Sequence, residues 1–172
     1  GGHSIELNND QIGFGSRESE EDILKVMSQY LDFLMIRNDN HKLLDYLASL
    51  NILPIINGLS NYSHPCQVLS DIFTIEESLG KIENQKITWL GDYNNVLVSL
   101  IHAAEIFNFK LNILVPKNLI PSSQINKNNN LKFSNFATDI NKTIKDSDCI
   151  MTDVWISMGE KNIKKKTQSL KK

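Results

Sequence analysis

Cysteine is scarce in this sequence. Cys66 and Cys149 are the only two, they lie far apart, and neither has a His or Cys at ligand spacing. That excludes a disulfide framework and a cysteine-based zinc site, and it leaves two reduced thiols. No apolar run approaches the roughly 20 residues that a membrane-spanning helix needs, and no signal-peptide pattern opens the chain. A soluble, cytoplasmic protein is therefore expected. There is no surplus of charge of either sign: 18 Lys and Arg stand against 20 Asp and Glu, which argues against a general nucleic-acid binder. Internal repeats are absent as well. Gly91 follows an apparent strand but lacks a second and third glycine at the spacing of a dinucleotide fingerprint, so bound NAD is not expected.

What is present is enough apolar residue, 41% of 172, for one domain or two small ones. The most informative stretch runs from Asn57 to Gln67. It follows the apolar run Pro54–Ile56, expected to be a buried strand, and opens a helix whose apolar residues Val68, Leu69, Ile72, Phe73, Ile75 and Leu79 recur at helical spacing until Gly80. Pro65 suits the first helical position, because its missing N–H would have no intrahelical partner there. His64 then falls at the cap, with Gln67 on the same side of the first turn. An imidazole and a carboxamide beside a helix N-terminus favour an anion or a polarised carbonyl, although the same two residues would also serve as ordinary caps.

Along the rest of the chain, strands and helices alternate. Ile5–Leu7 is expected to be a short strand and Asn8–Arg17 an exposed loop. Ser19 caps a helix with the stripe Ile23, Val26, Met27, Tyr30 and Leu31. Phe33–Ile36 forms a strand that ends in Arg37, at the sheet edge where open α/β sheets bind ligands; a surface ion pair is the competing role for this arginine. Asn40 caps a helix with the face Leu43, Leu44, Leu47 and Leu50.

The pattern restarts after Gly80, which marks a domain boundary. Ile87–Leu90 is a strand, Gly91–Asn95 a turn and Val96–Phe107 a helix. Leu111–Val115 is a second strand. Ile120–Asn130 is a loop, Ala137–Lys145 a short helix, and Asp148–Thr152 a third strand with Asp153 just past its end. The alternation implies parallel α/β sheets. The lysines after Glu160 suit a solvated tail better than a phosphate patch.

With these residues assembled, the sequence resembles the carbamoyltransferase family, and within it the ornithine-using branch. The resemblance rests on Met35-Ile36-Arg37, Ile55 to Ser60, His64-Pro65-Cys66-Gln67, Trp89 to Leu97, and Thr152-Asp153-Val154-Trp155-Ile156-Ser157-Met158-Gly159, in the family's order. Even Gly1-Gly2-His3-Ser4 is similar to an internal stretch of the first domain. The resemblance implies two parallel-sheet αβα sandwich domains joined by a helix, each incomplete here. Residues 1–64 would be the latter part of a carbamoyl phosphate-binding domain, 65–84 the connecting helix and linker, and 85–172 most of an ornithine-binding domain. It further implies that Arg37, His64 and Gln67 hold carbamoyl phosphate, and that Asn95, Asp153, Ser157 and Met158 hold ornithine. Neither metal nor cofactor is implied, nucleic acid and membrane are not expected partners, and the complete protein would be a homotrimer. Two family blocks, Ser-Thr-Arg-Thr and His-Cys-Leu-Pro, do not occur. The expectation is thus an internal fragment with both ends missing.

Overall fold

The computed structural model describes residues 2–14, 16–122 and 131–154. It divides into two compact units, Gly1–Asn61 and Tyr62–Lys172.

In the first unit the elements are α1 (Asn9–Ile12), α2 (Glu20–Met27), β1 (Leu34–Arg37), α3 (His41–Ser49) and β2 (Ile55–Leu59). Ser19 caps α2 as expected, its Oγ accepting the Asp22 N–H at 3.1 Å, and Glu20, Glu21 and Asp22 place negative charge at the positive end of the helix. The buried stripe is narrower than the sequence suggested. Ile23 and Leu24 are buried, whereas Val26 and Tyr30 are exposed. Asn40 occupies the cap position of α3, but its side chain makes no capping bond, and Leu44 and Leu47 carry that helix into the core.

Two further expectations need correction. Ile5–Leu7 is not a strand: it pairs with no described strand, and Ile5 and Leu7 are exposed. Asn8–Arg17 is not all loop, since it contains α1.

β1 and β2 pair in parallel, Leu34 opposite Ile55 and Ile36 opposite Asn57. β2 continues through Leu59, past the point where polar and glycine residues suggested a loop. The register shifts after Ile36, so that Arg37 pairs with Leu59 and Gly58 is the extra residue of a β-bulge. A side chain at Gly58 would bring a Cβ to 3.3 Å from the Ile36 carbonyl oxygen and 3.2 Å from Met35 Cγ. Close approach of the two strands is what requires glycine there. The core of this unit is Leu24, Ile36, Leu44, Leu47 and Leu53.

The second unit contains α4 (Pro65–Leu79), β3 (Lys86–Leu90), α5 (Asn95–Phe107), β4 (Lys110–Leu114), β5 (Ser134–Phe136), α6 (Ile140–Lys145) and β6 (Cys149–Met151). Among the described residues its four strands are parallel in the order β5-β4-β3-β6. β5 was not foreseen. α6 starts later than expected because Asp139 caps it, accepting the Lys142 N–H at 3.0 Å.

α4 begins at Pro65, as the sequence indicated, and packs on α5. Val68, Ile72 and Ile75 form its buried face, while Leu69, Phe73 and Leu79, expected on the same face, are exposed. α5 is apolar nearly all round, with Val96, Leu97, Val98, Leu100, Ile101, Ala103 and Ala104 buried. A helix of that kind belongs in a core. It packs there with Trp89, Ile87, Leu111, Ile113 and Phe109.

Candidate active site

The strand order of the second unit reverses at β3: the chain places β4 and β5 on one side and then returns to place β6 on the other. Ligands of open α/β sheets bind outside the carboxyl ends of the strands at such a switch point. Here those ends carry the Gly91–Asn94 turn after β3 and Asp153 after β6.

The turn is tightly held. Gly91 has φ 150°, which favours glycine, and its N–H donates to the Leu114 carbonyl at 3.2 Å. The Trp89 indole N–H donates to the Asp92 carbonyl at 2.9 Å. Asn94 caps α5, its Oδ1 accepting the Leu97 N–H at 3.0 Å, and its Nδ2 donates to Asp153 Oδ2 at 2.8 Å. The other oxygen of Asp153 accepts the Val154 N–H at 2.7 Å. Asn95, the residue singled out from sequence, is half-buried at the first position of α5. Its neighbour Asn94 bridges the two strand ends.

At the start of α4, His64 has φ −135° and ψ 68°, and its side chain makes no capping bond. The imidazole therefore does not cap α4. The His64 backbone N–H donates to Ser99 Oγ, on α5, at 2.8 Å. Gln67 is half-buried one turn on. One turn further along the same side stands Asp71, which sequence reasoning missed. Burial pushes the Asp71 carboxyl above the usual carboxylate range, the charge of Asp153 pushes it further, and His64 partly offsets both. His64, Asp71 and Asp153 thus share one electrostatic neighbourhood. Cys149, on β6, is pushed up first by burial and then by Asp71.

Arg37 lies in the first unit, exposed at the carboxyl end of β1, and among the described residues it makes no ion pair. The surrounding strand ends are tied together. Asn38 N–H donates to the Leu59 carbonyl at 3.0 Å, Asn61 N–H to the Asp39 carbonyl at 3.2 Å, and His41 Nδ1 lies 2.9 Å from Ser60 Oγ.

Ser157 and Met158 lie outside the described residues, as do the stretch 123–130 and the lysine-rich end. Among the described residues no group of three or more His, Cys, Asp or Glu side chains could hold a metal ion, and no helix is long and apolar enough to cross a membrane.

Two family models match the chain. The carbamoyl-phosphate-binding domain of aspartate/ornithine carbamoyltransferases matches residues 1–77, and the Asp/Orn-binding domain of the same enzymes matches residues 83–172. The first match ends inside α4, although α4 packs within the second unit. An ornithine carbamoyltransferase of Rhodopseudomonas palustris is 43% identical over 166 residues, which is 94% of this chain and 53% of that protein. One of Nitrobacter winogradskyi is 41% identical over 164 residues. Among solved structures, the ornithine carbamoyltransferase of Pyrococcus furiosus aligns with a TM-score of 0.83 at 34% identity, covering 98% of this chain and 56% of that one. That of Thermus thermophilus aligns with a TM-score of 0.79 at 29% identity, covering 99% and 56%. The chain spans about half the length of the relatives it matches.

Proposed function

This chain belongs to the aspartate/ornithine carbamoyltransferase family, and from that premise we propose that its site serves carbamoyl transfer from carbamoyl phosphate to the side-chain amine of L-ornithine, giving L-citrulline and phosphate. The observation that carries the choice of ornithine is the Asp153 carboxylate, held by Asn94 at the sheet's switch point. Ornithine presents an α-ammonium group that needs an anionic acceptor. Aspartate would instead bring a second carboxylate to a place already occupied by Asp153 and neighboured by Asp71.

In the reaction the neutral amine attacks the carbonyl carbon. A C–N bond forms, the bond from that carbon to the phosphate oxygen breaks, phosphate leaves with the electron pair, and the amine loses a proton. Arg37, His64 and Gln67 supply donors for the phosphate and for the carbonyl oxygen that becomes negative. Asn95 and Ser157 supply donors for the ornithine carboxylate, and Met158 covers the aliphatic stem. Catalysis rests on orientation and charge stabilisation, without metal or cofactor. Activity should rise with pH until the attacking amine has lost its proton. By family resemblance the complete protein is a cytoplasmic homotrimer in arginine metabolism, with the domain division 1–64, 65–84 and 85–172.

A second reading concerns these 172 residues taken by themselves, in which the Ser-Thr-Arg-Thr and His-Cys-Leu-Pro blocks do not occur. On that reading they bind a ligand or a partner chain without turnover.

The test is citrulline formation from carbamoyl phosphate and ornithine, with Asp153→Ala as control, in the chain itself and in a protein of the relatives' length carrying these residues. Turnover that Asp153→Ala abolishes in the longer protein supports the assignment. Turnover that Asp153→Ala leaves unchanged overturns ornithine as substrate and favours another amine. A folded 172-residue chain without turnover supports the second reading for these residues.

A further inference from the structure

In the middle of its core helix the second unit holds a hydroxyl where an apolar side chain would be expected. Ser99 sits in the middle of α5 between the buried Val98 and Leu100, and it is 6% exposed. A hydroxyl in such a place costs stability unless it is hydrogen-bonded. This one is engaged by a neighbouring helix, because its Oγ accepts the His64 backbone N–H at 2.8 Å. Five residues earlier, at the cap of the same helix, Asn94 holds Asp153 at 2.8 Å. A single core helix is therefore hydrogen-bonded to the residue proposed to face the carbamoyl group and to the residue proposed to hold the amine substrate.

We infer that Ser99 is a positioning residue for carbamoyl transfer, registering His64 at the start of α4 against the Asn94–Asp153 pair through the rigid body of α5. The inference rests on the proposed carbamoyl transfer to ornithine. α5 is suited to act as such a bracket, since Leu97, Leu100 and Ala104 are completely buried and fix it on the sheet. The bond to Ser99 comes from the residue that opens α4, whose carbonyl in turn accepts the Val68 N–H of that helix. In a reaction driven by orientation, the register between donor carbonyl and amine sets the rate of the chemical step more than it sets substrate affinity.

The experiment compares Ser99→Thr with Ser99→Val in a protein of the relatives' length carrying these residues. The two variants add the same bulk and differ only in the acceptor oxygen, and Ser99→Ala serves as a third variant with no added volume. Citrulline kinetics are measured alongside amide hydrogen exchange at His64 and an Asp153→Ala control. Ser99→Val and Ser99→Ala should lose about ten- to a hundredfold in kcat relative to Ser99→Thr, with KM for ornithine within about twofold. Exchange at His64 should quicken in the same two variants. Equal kcat for Val and Thr, with Ala at the wild-type rate and Asp153→Ala inactive, overturns the role of Ser99 and leaves the reaction assignment standing. A wild-type protein that forms no citrulline, or an Asp153→Ala variant that forms it normally, overturns the assignment and the inference with it.

Discussion

Arg37 and Asp153 both stand at the carboxyl ends of parallel strands, yet the structure around them differs in kind. Arg37 ends a strand in a two-stranded sheet over a core cluster of five buried side chains among the described residues. Asp153 follows the edge strand β6 of a four-stranded sheet, over a core cluster of fifteen among the described residues. The difference teaches that a site residue is only as well fixed as the core beneath its strand. Asn94, Asp153, His64 and Ser99 are held by hydrogen bonds within the second unit, whereas the strand end at Arg37 is held by the backbone ties of one bulged strand pair.

Large-to-small core substitutions should separate the two units most clearly. Leu100→Ala should destabilise the second unit by about 2–5 kcal/mol and leave amide protection in β1 and β2 unchanged. Leu47→Ala, by contrast, should remove protection in β1 and β2 and spare β3 and β4. Hydrogen exchange followed by mass spectrometry reads both, and loss of protection in both units from either variant would break the comparison.

A smaller effect is expected at the bulge. Gly58→Ala forces the Ile36 carbonyl to give by a few tenths of an ångström, which should cost about 1 kcal/mol. The change should appear as faster exchange at Asn38, whose N–H donates across to Leu59. Unchanged exchange there would mean that the bulge absorbs the methyl group.

The smallest effect should come from Asp71. Its carboxyl is raised, so the stability it contributes is fully present below the ordinary carboxylate range and is lost as pH rises through the raised value. Asp71→Asn should remove that loss and give the second unit a slightly higher melting temperature at neutral pH, with no difference in acid. A lower neutral-pH melting temperature for the variant would show that the carboxylate is a net stabiliser.

Much of this was legible in the sequence, for identifiable reasons. Pro65 fixed the start of α4 because a residue without an N–H has few other uses at a helix terminus. Trp89, Gly91 and Asp153 announced a strand, a turn and a strand end. What failed was the choice between overlapping stripes: Leu69 and Phe73 follow helical spacing as well as Val68 and Ile72 do, and only the position of the sheet decides which pair is buried. β5 escaped because three residues with a buried serine carry no alternation. β2 was cut short because a glycine serving close strand approach looks like a glycine serving a turn. Ser99, Asn94 and Asp71 act through partners distant in sequence, and spacing along one helix does not reveal them.

The reversal of strand order at β3 also governs the order in which the protein can be made. Lys86 donates its N–H to the Asp148 carboxylate and accepts the Asp148 N–H in return, so one edge of β3 waits for a segment some sixty residues downstream. On a ribosome adding about 5–20 residues per second, that edge stays open for several seconds after β3 and β4 can pair. During that interval the nascent chain carries an exposed strand edge beside an unfilled crevice. Asp153 emerges just after the strand that closes it, which makes the bridge to Asn94 among the last features of the described fold to form.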